Sequence, residues 1–94
     1  MDIKELSISS LKLNQSNPRF IKDDKFKKLV QSIKDFPTML RLRPIIIDET
    51  FTILGGNMRY RASIEAGLKK VFTIQINDLS EQEKKEFIIK DNLG

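Results

Sequence analysis

The segment Ile53-Leu54-Gly55-Gly56-Asn57-Met58-Arg59-Tyr60-Arg61-Ala62 holds the residues best suited to chemistry. An apolar run meets two glycines and then a stretch of helix-favouring residues. Glycine lets a backbone turn sharply and lets a ligand approach with no Cβ in the way. The amino end of a helix presents N–H groups that lack intrahelical acceptors, together with the positive end of the helix dipole, and so favours an anion. Arg59 falls within the first turn, where a guanidinium can add charge-assisted contacts to phosphate oxygens. Arg61, two residues on, points to a different face of the helix and is available to another group. The same letters also fit a plain strand-to-helix turn carrying two surface arginines.

Composition narrows the chemistry further. The 94 residues include neither cysteine nor histidine, which excludes disulfides, a thiol nucleophile, a Cys or His zinc site and a Ser-His-Asp triad. Carboxylates, amides, hydroxyls, lysines, arginines and backbone N–H groups remain, an inventory better suited to holding an anion than to cleaving a bond unaided. The net charge is +4, and its excess lies in the first seventy residues, while residues 71–94 are slightly acidic. A basic body is compatible with nucleic acid or phosphorylated ligands, and equally with an ordinary lysine-rich surface. Purely apolar runs such as Ile45-Ile46-Ile47 are far too short for a membrane span, and the N-terminus has no hydrophobic signal core, so the cytoplasm is the default location and no membrane partner is expected.

The elements that must position the Gly55-Gly56 segment are legible in outline. Ile3 to Leu13 alternates in part and predicts extended structure, broken near Ser9-Ser10. Asn14 to Arg19 predicts a loop, with Pro18 keeping Asn17 out of helix. Phe26, Leu29, Val30, Ile33 and Phe36 form one apolar stripe of helical spacing, preceded by Asp23 and Asp24 and stopped by Pro37. Lys25, Lys27 and Lys28 then lie off the core stripe, on a solvated face that could also touch a nucleic-acid backbone. Arg41 and Arg43 flank Leu42 just before the next strand and could line the same basic face. Pro44 to Asp48 predicts a strand buried on both faces, Glu49-Thr50 a tight connection, and Phe51 to Leu54 a strand that pairs back.

A helix from Asn57 to Ala66, with Met58, Ala62 and Ala66 in line and Gly67 as its stop, precedes a strand over Val71–Ile76. Tyr60 fits a partly buried core aromatic or a base-stacking residue. Ser80-Glu81-Gln82-Glu83 has the form of a capping box opening a last helix, which would bring Phe87 and Ile88 to the core and end near Asp91-Asn92. The expected fold is one small α/β (α+β) domain over residues 1–94, about three helices on a short mixed sheet, with no internal linker.

Gly56-Asn57-Met58-Arg59-Tyr60-Arg61-Ala62 resembles the G-E-R-R-[WY]-R-A box of the ParB N-terminal domain, and with Gly55 it also resembles the G-G-C-H-R-[YF] box of sulfiredoxin, which shares that fold. Asn14 to Arg19 is similar to the first ParB motif, a loop ending in Pro-Arg. Arg43-Pro44-Ile45-Ile46-Ile47 is similar to the P-[IL]-x-V strand, and Ile88 to Leu93 to the third motif, [IL]-x-E-N-[IL]. The resemblance covers nearly the whole chain. It implies that the motifs converge on one pocket, which in ParB proteins takes cytidine triphosphate with magnesium. Gly55, Gly56, Asn57, Arg59 and Arg61 would then hold phosphates, Arg19 would reach across from the first loop, and Asp91 and Asn92 would approach the metal, Asn92 the phosphates as well. Asn57 stands where sulfiredoxin has its reactive cysteine, so that chemistry is excluded. It also stands where ParB proteins have the glutamate linked to hydrolysis, and an amide cannot act as a general base near neutral pH. Asp91 replaces glutamate in the third motif and is one methylene shorter.

Three functions remain in view. The first is a regulatory module that binds a nucleoside triphosphate (CTP or ATP) with Mg2+, hydrolyses little of it, and shifts between monomer and homodimer in a DNA-associated system such as phage-borne DNA modification or partition. The second is a ParB-like metal-dependent nuclease or phosphotransferase, which needs carboxylates converging on magnesium. The third is a DNA-contacting adaptor that keeps only the fold. Because ParB proteins continue past the third motif into a helical DNA-binding region, the chain is expected to be either an excised N-terminal domain or a minimal member of the family lacking its own helix-turn-helix, with DNA met directly or through a following domain.

Overall fold

The computed structural model describes residues 2–14 and 22–93, the side chains of 92 and 93 excepted. Strand β1 (Ile3–Ser7) runs into a single 3-10 turn (Ile8–Ser10), which is the break foreseen near Ser9-Ser10. Helix α1 (Asp24–Asp35) follows, then a one-turn helix α2 (Met39–Leu42) and strand β2 (Ile45–Asp48). Strand β3 (Ile53–Gly55), helix α3 (Asn57–Glu65), strand β4 (Lys70–Ile76) and helix α4 (Glu81–Leu93) complete the order. The four strands form one mixed sheet in the order β1-β4-β2-β3: β4 pairs antiparallel with β1 and parallel with β2, and β2 pairs antiparallel with β3.

The helices start where local chemistry dictates. The Asp23 carboxylate accepts the Phe26 N–H at 2.9 Å and caps α1. At α4 the Ser80 N–H donates to Glu83 Oε1 at 2.9 Å while the Glu83 N–H donates to Ser80 Oγ at 3.1 Å, the reciprocal box expected from the sequence. Gly67, at φ +83°, ends α3 in the left-handed region that other residues enter only at a cost.

Phe26, Val30 and Ile33 of α1 bury against Leu40, Ile45, Ile47, Ile53, Ala62 and Val71, so the apolar stripe of α1 faces one side of the sheet. Each such side chain contributes about 1.5–3 kcal/mol when fully removed from water. Helix α1 packs on α3, α3 on β2, α2 on β4 and α4 on β3. Tyr60 is half-buried and packs on this core.

Three sequence expectations need correction. Among the described residues there are four α-helices rather than three, because the single turn Met39–Leu42 is too short to show a period in sequence. The connection after β2 lasts through Phe51, not Thr50. The Asp48 carboxylate accepts the N–H groups of Thr50 (2.8 Å) and Thr52 (3.0 Å) and the Thr50 hydroxyl (2.7 Å), and this local side-chain bonding carries Phe51 to φ +66°. Strand β2 is covered fully on one face, where Ile45 and Ile47 are buried, and only in part on the other, where Asp48 is buried but Ile46 is half-buried and lines an apolar cavity of about 250 Å³ with Ile74, Ile76, Leu79 and Phe87. Ile88 is buried as expected and Phe87 half-buried, and α4 runs to Leu93.

Candidate functional site

The Gly55-Gly56 turn lies where β3 hands over to α3, beside the start of β2 and the last turns of α4. Gly56 sits at φ +89° as the N-cap of α3, and it offers no side chain to the first N–H groups of that helix. Helices α1 and α4 are both capped by the side chain of their N-cap residue, so α3 is the one of these three described helices whose N-cap supplies none. A Cβ at Gly56 would stand 2.9 Å from Arg59 Nη2 and 3.3 Å from the Ile45 Cα. One at Gly55 would stand 2.9 Å from the Phe87 ring and 3.3 Å from Asp91 Oδ2. Only glycine admits the guanidinium and the α4 side chains this close to the backbone.

Arg59 folds back over this turn. Its Nη2 donates to the Pro44 carbonyl at 3.0 Å, whereas its Nε is buried and has no hydrogen-bond partner among the described residues. Burial pushes the Arg59 pKa down, the Asp91 carboxylate pushes it up, and the neighbouring Arg43 pushes it down again. The guanidinium stays charged all the same, since arginine does not lose its proton in proteins. A desolvated cation with an unmet N–H beside a helix amino end is chemically suited to an oxyanion.

The structure therefore gathers Gly55, Gly56, Arg59 and Asp91 around one spot. Asn57 is buried at the first helical position of α3. Arg61 lies about 200° around the helix from Arg59, where it lines a separate cavity of about 200 Å³ with Lys22, Phe26, Ile64 and Glu65. Arg19 and the side chain of Asn92 lie outside the described residues. Arg43, which sequence reasoning left on a general basic face, stands in electrostatic reach of Arg59. No sequence signal marked it, because it is brought near by the Arg59 hydrogen bond to the Pro44 carbonyl, fifteen residues away along the chain.

A second residue was missed altogether. Lys84 is buried, with 6% of its surface exposed, and its Nζ meets Glu49 Oε1 at 2.7 Å, Asp48 Oδ2 at 3.2 Å and Glu81 Oε1 at 3.4 Å. The Glu49 hydrogen bond raises the Lys84 pKa most, against the effect of burial. Burial alone would raise the Asp48 carboxyl, but hydrogen bonds from Thr50, Thr52 and Lys84 hold it below its ordinary value. Lysine is rarely buried unless paired, and nothing local in the sequence announces pairing between Lys84 and the β2–β3 turn.

The profile of the ParB N-terminal domain matches residues 1–93. The chain belongs to the ParB N-terminal domain family. It is 33% identical over 95 residues to the chromosome-partitioning protein ParB of Myxococcus xanthus (strain DK1622), an alignment covering 97% of this chain and 31% of that protein. Its fold is similar to that of the C-terminally truncated chromosome-partitioning protein ParB from Caulobacter crescentus complexed with CTP-γ-S, with a TM-score of 0.85, 26% identity, and coverage of 99% of this chain and 53% of that one. The Caulobacter protein complexed to the centromeric parS site is also similar, with a TM-score of 0.74, 25% identity, and coverage of 96% and 46%. The chain thus spans about a third of the Myxococcus relative's length. The mixed α/β fold expected from the sequence is the ParB N-domain fold. Among the described residues no helix is long and apolar enough to cross a membrane.

Proposed function

We propose that this ParB N-terminal domain binds a nucleoside triphosphate, with cytidine triphosphate as the first candidate, and seats its phosphates on the Gly55-Gly56 turn, the amino end of α3 and the Arg59 guanidinium. One observation carries the reading: the Arg59 Nε is buried without a partner among the described residues, directly over a glycine that keeps the helix end accessible. The Caulobacter relative in complex with CTP-γ-S supports the choice of nucleotide. Arg19 and Asn92 are further phosphate contacts in this proposal, whereas Arg61 stands apart on the α1 side.

Magnesium fits the residues present on one condition. A lone carboxylate such as Asp91 beside a polyphosphate is repelled by it unless a cation stands between, and Mg2+ is commonly held by one or two carboxylates together with substrate phosphates. Among the described residues there is no group of three or more His, Cys, Asp or Glu able to hold a metal. Asp91, assisted by Asn92, is therefore proposed to hold Mg2+ only when the nucleotide supplies the remaining oxygens. Bound there, the ion would neutralise phosphate charge. Asn57 cannot take a proton from water near neutral pH, so binding with little turnover is expected.

The nuclease reading needs several carboxylates converging on a metal, and although Asp91 lies at this turn, among the described residues no group of three or more His, Cys, Asp or Glu could hold a metal. The Myxococcus and Caulobacter relatives are chromosome-partitioning proteins, and the Caulobacter one is known in complex with parS DNA. We therefore take DNA partitioning, rather than phage DNA modification, as the setting, with nucleotide biasing self-association and DNA met through this domain or a following one. Titration calorimetry with CTP, ATP, GTP and UTP, with and without Mg2+, tests the reading. Arg59→Met is expected to lower the affinity for the preferred nucleotide at least tenfold, the loss of one charge-assisted contact of about 1.5–3 kcal/mol. Absence of binding tighter than millimolar for every triphosphate would sink it.

A further inference from the structure

Helix α4 is held at three places along its length. Lys84, Ile88 and Asp91 follow at i, i+4 and i+7, so their side chains share a stripe, with Asp91 about 10.5 Å further along the axis than Lys84. At the first turn, Lys84 plugs into the β2–β3 turn through Asp48 and Glu49. Mid-helix, Ile88 is buried. In the last turns, Phe87 and Asp91 press against Gly55, which ends the same β3 strand that the turn introduces. Lys84 is thus tied to the turn that leads into β3, and Asp91 lies against the glycine that ends it.

We propose that Lys84 is a positioning residue for the nucleotide site: its ion pairs with Asp48 and Glu49 fix the axial placement of α4 and thereby hold the Asp91 carboxylate against Gly55 and Arg59, an inference that rests on the nucleotide-binding reading above. The geometry favours this over a general stabilising role. Asp48 already accepts three hydrogen bonds from Thr50 and Thr52, so the turn keeps its shape without Lys84. What Lys84 adds is the link to α4, and Asp91 is the chemical group that link places. Losing a residue that orients a metal ligand commonly costs 10–100-fold in affinity.

The test is a double-mutant cycle on the full chain, read by calorimetry with CTP in the presence and absence of Mg2+. Lys84→Met keeps the length and packing of the stem while removing the charge. It is expected to weaken CTP binding in Mg2+ about tenfold in the otherwise unmodified chain, with little effect without Mg2+, and to have no further effect in an Asp91→Asn background. Lys84→Arg should restore most of the affinity. Glu49→Gln removes the shortest ion pair at a half-exposed side chain, and gives a smaller loss with the same dependence on Asp91, which keeps the proposal testable should Lys84→Met fold poorly. Equal losses in both Asp91 backgrounds, equal losses with and without Mg2+, or no loss would overturn the positioning role while leaving nucleotide binding intact. If the unmodified chain binds no triphosphate, the nucleotide reading falls, and this inference with it.

Discussion

Gly56 and Gly67 form a matched pair of perturbations. Both have positive φ, +89° and +83°, but a Cβ at Gly67 meets nothing within 4 Å, whereas one at Gly56 meets Arg59 Nη2 at 2.9 Å and the Ile45 Cα at 3.3 Å. Alanine at Gly67 therefore carries the backbone term alone, about 1–2 kcal/mol for the left-handed region, offset by about 0.4–1 kcal/mol from a stiffer unfolded chain. Alanine at Gly56 carries the same term and must also displace Arg59, breaking its hydrogen bond to the Pro44 carbonyl. A hydrogen bond from a charged donor is worth about 1.5–3 kcal/mol. Urea unfolding of the two variants should thus differ by roughly that amount, with Gly56→Ala the less stable. Calorimetry with CTP and Mg2+ should show Gly67→Ala binding like the unmodified chain and Gly56→Ala weakened by about 10–150-fold, if the displaced guanidinium no longer meets a phosphate. Equal stability losses, or an unchanged affinity in Gly56→Ala, would refute the idea that this glycine exists to admit Arg59 and a ligand.

Ile33→Ala empties a position with no exposed surface at the centre of the α1 stripe and is expected to cost about 2–5 kcal/mol in urea unfolding. Asp23→Ala removes the α1 cap and should cost about 1 kcal/mol by the same measurement, with nucleotide affinity unchanged. Asp48 and Glu49 are held below their ordinary values of 3.8 and 4.5. Their stabilisation is therefore complete above those values and is lost as pH falls through the lower folded-state values. Thermal melts between about pH 5 and pH 2 should show a falling midpoint that falls less steeply in Lys84→Met, whose carboxylates have lost their cation.

Much of the fold was legible because its signals are short-range. The stripe Phe26, Val30, Ile33 repeats within one helix, Asp23 caps its neighbour three residues on, and Ser80 and Glu83 satisfy each other across a single turn. The meeting of the diglycine turn, a helix start and Arg59 was legible for the same reason, since the three fall within five residues. Phe51 was misread as strand because the cause of its left-handed backbone is the side chain of Asp48, whose hydrogen bonds bypass the alternation of residue types.

By itself, then, the sequence determined most of the stretches that become helix or strand, what caps α1 and α4, and that two glycines and a cation meet where β3 hands over to α3, because backbone propensity and capping act over three or four residues. Only the tertiary structure decided which charges gather there. Arg43, Arg59 and Asp91 become neighbours because the strand order β1-β4-β2-β3 places the start of β2 beside the end of β3, and because α4 packs on β3. Arg61 is carried to the α1 side by the helical turn, and Lys84 is buried by a pairing with Asp48 across thirty-six residues of chain. Coulomb attraction and desolvation depend on distance in space, and residue spacing along the chain carries no record of it.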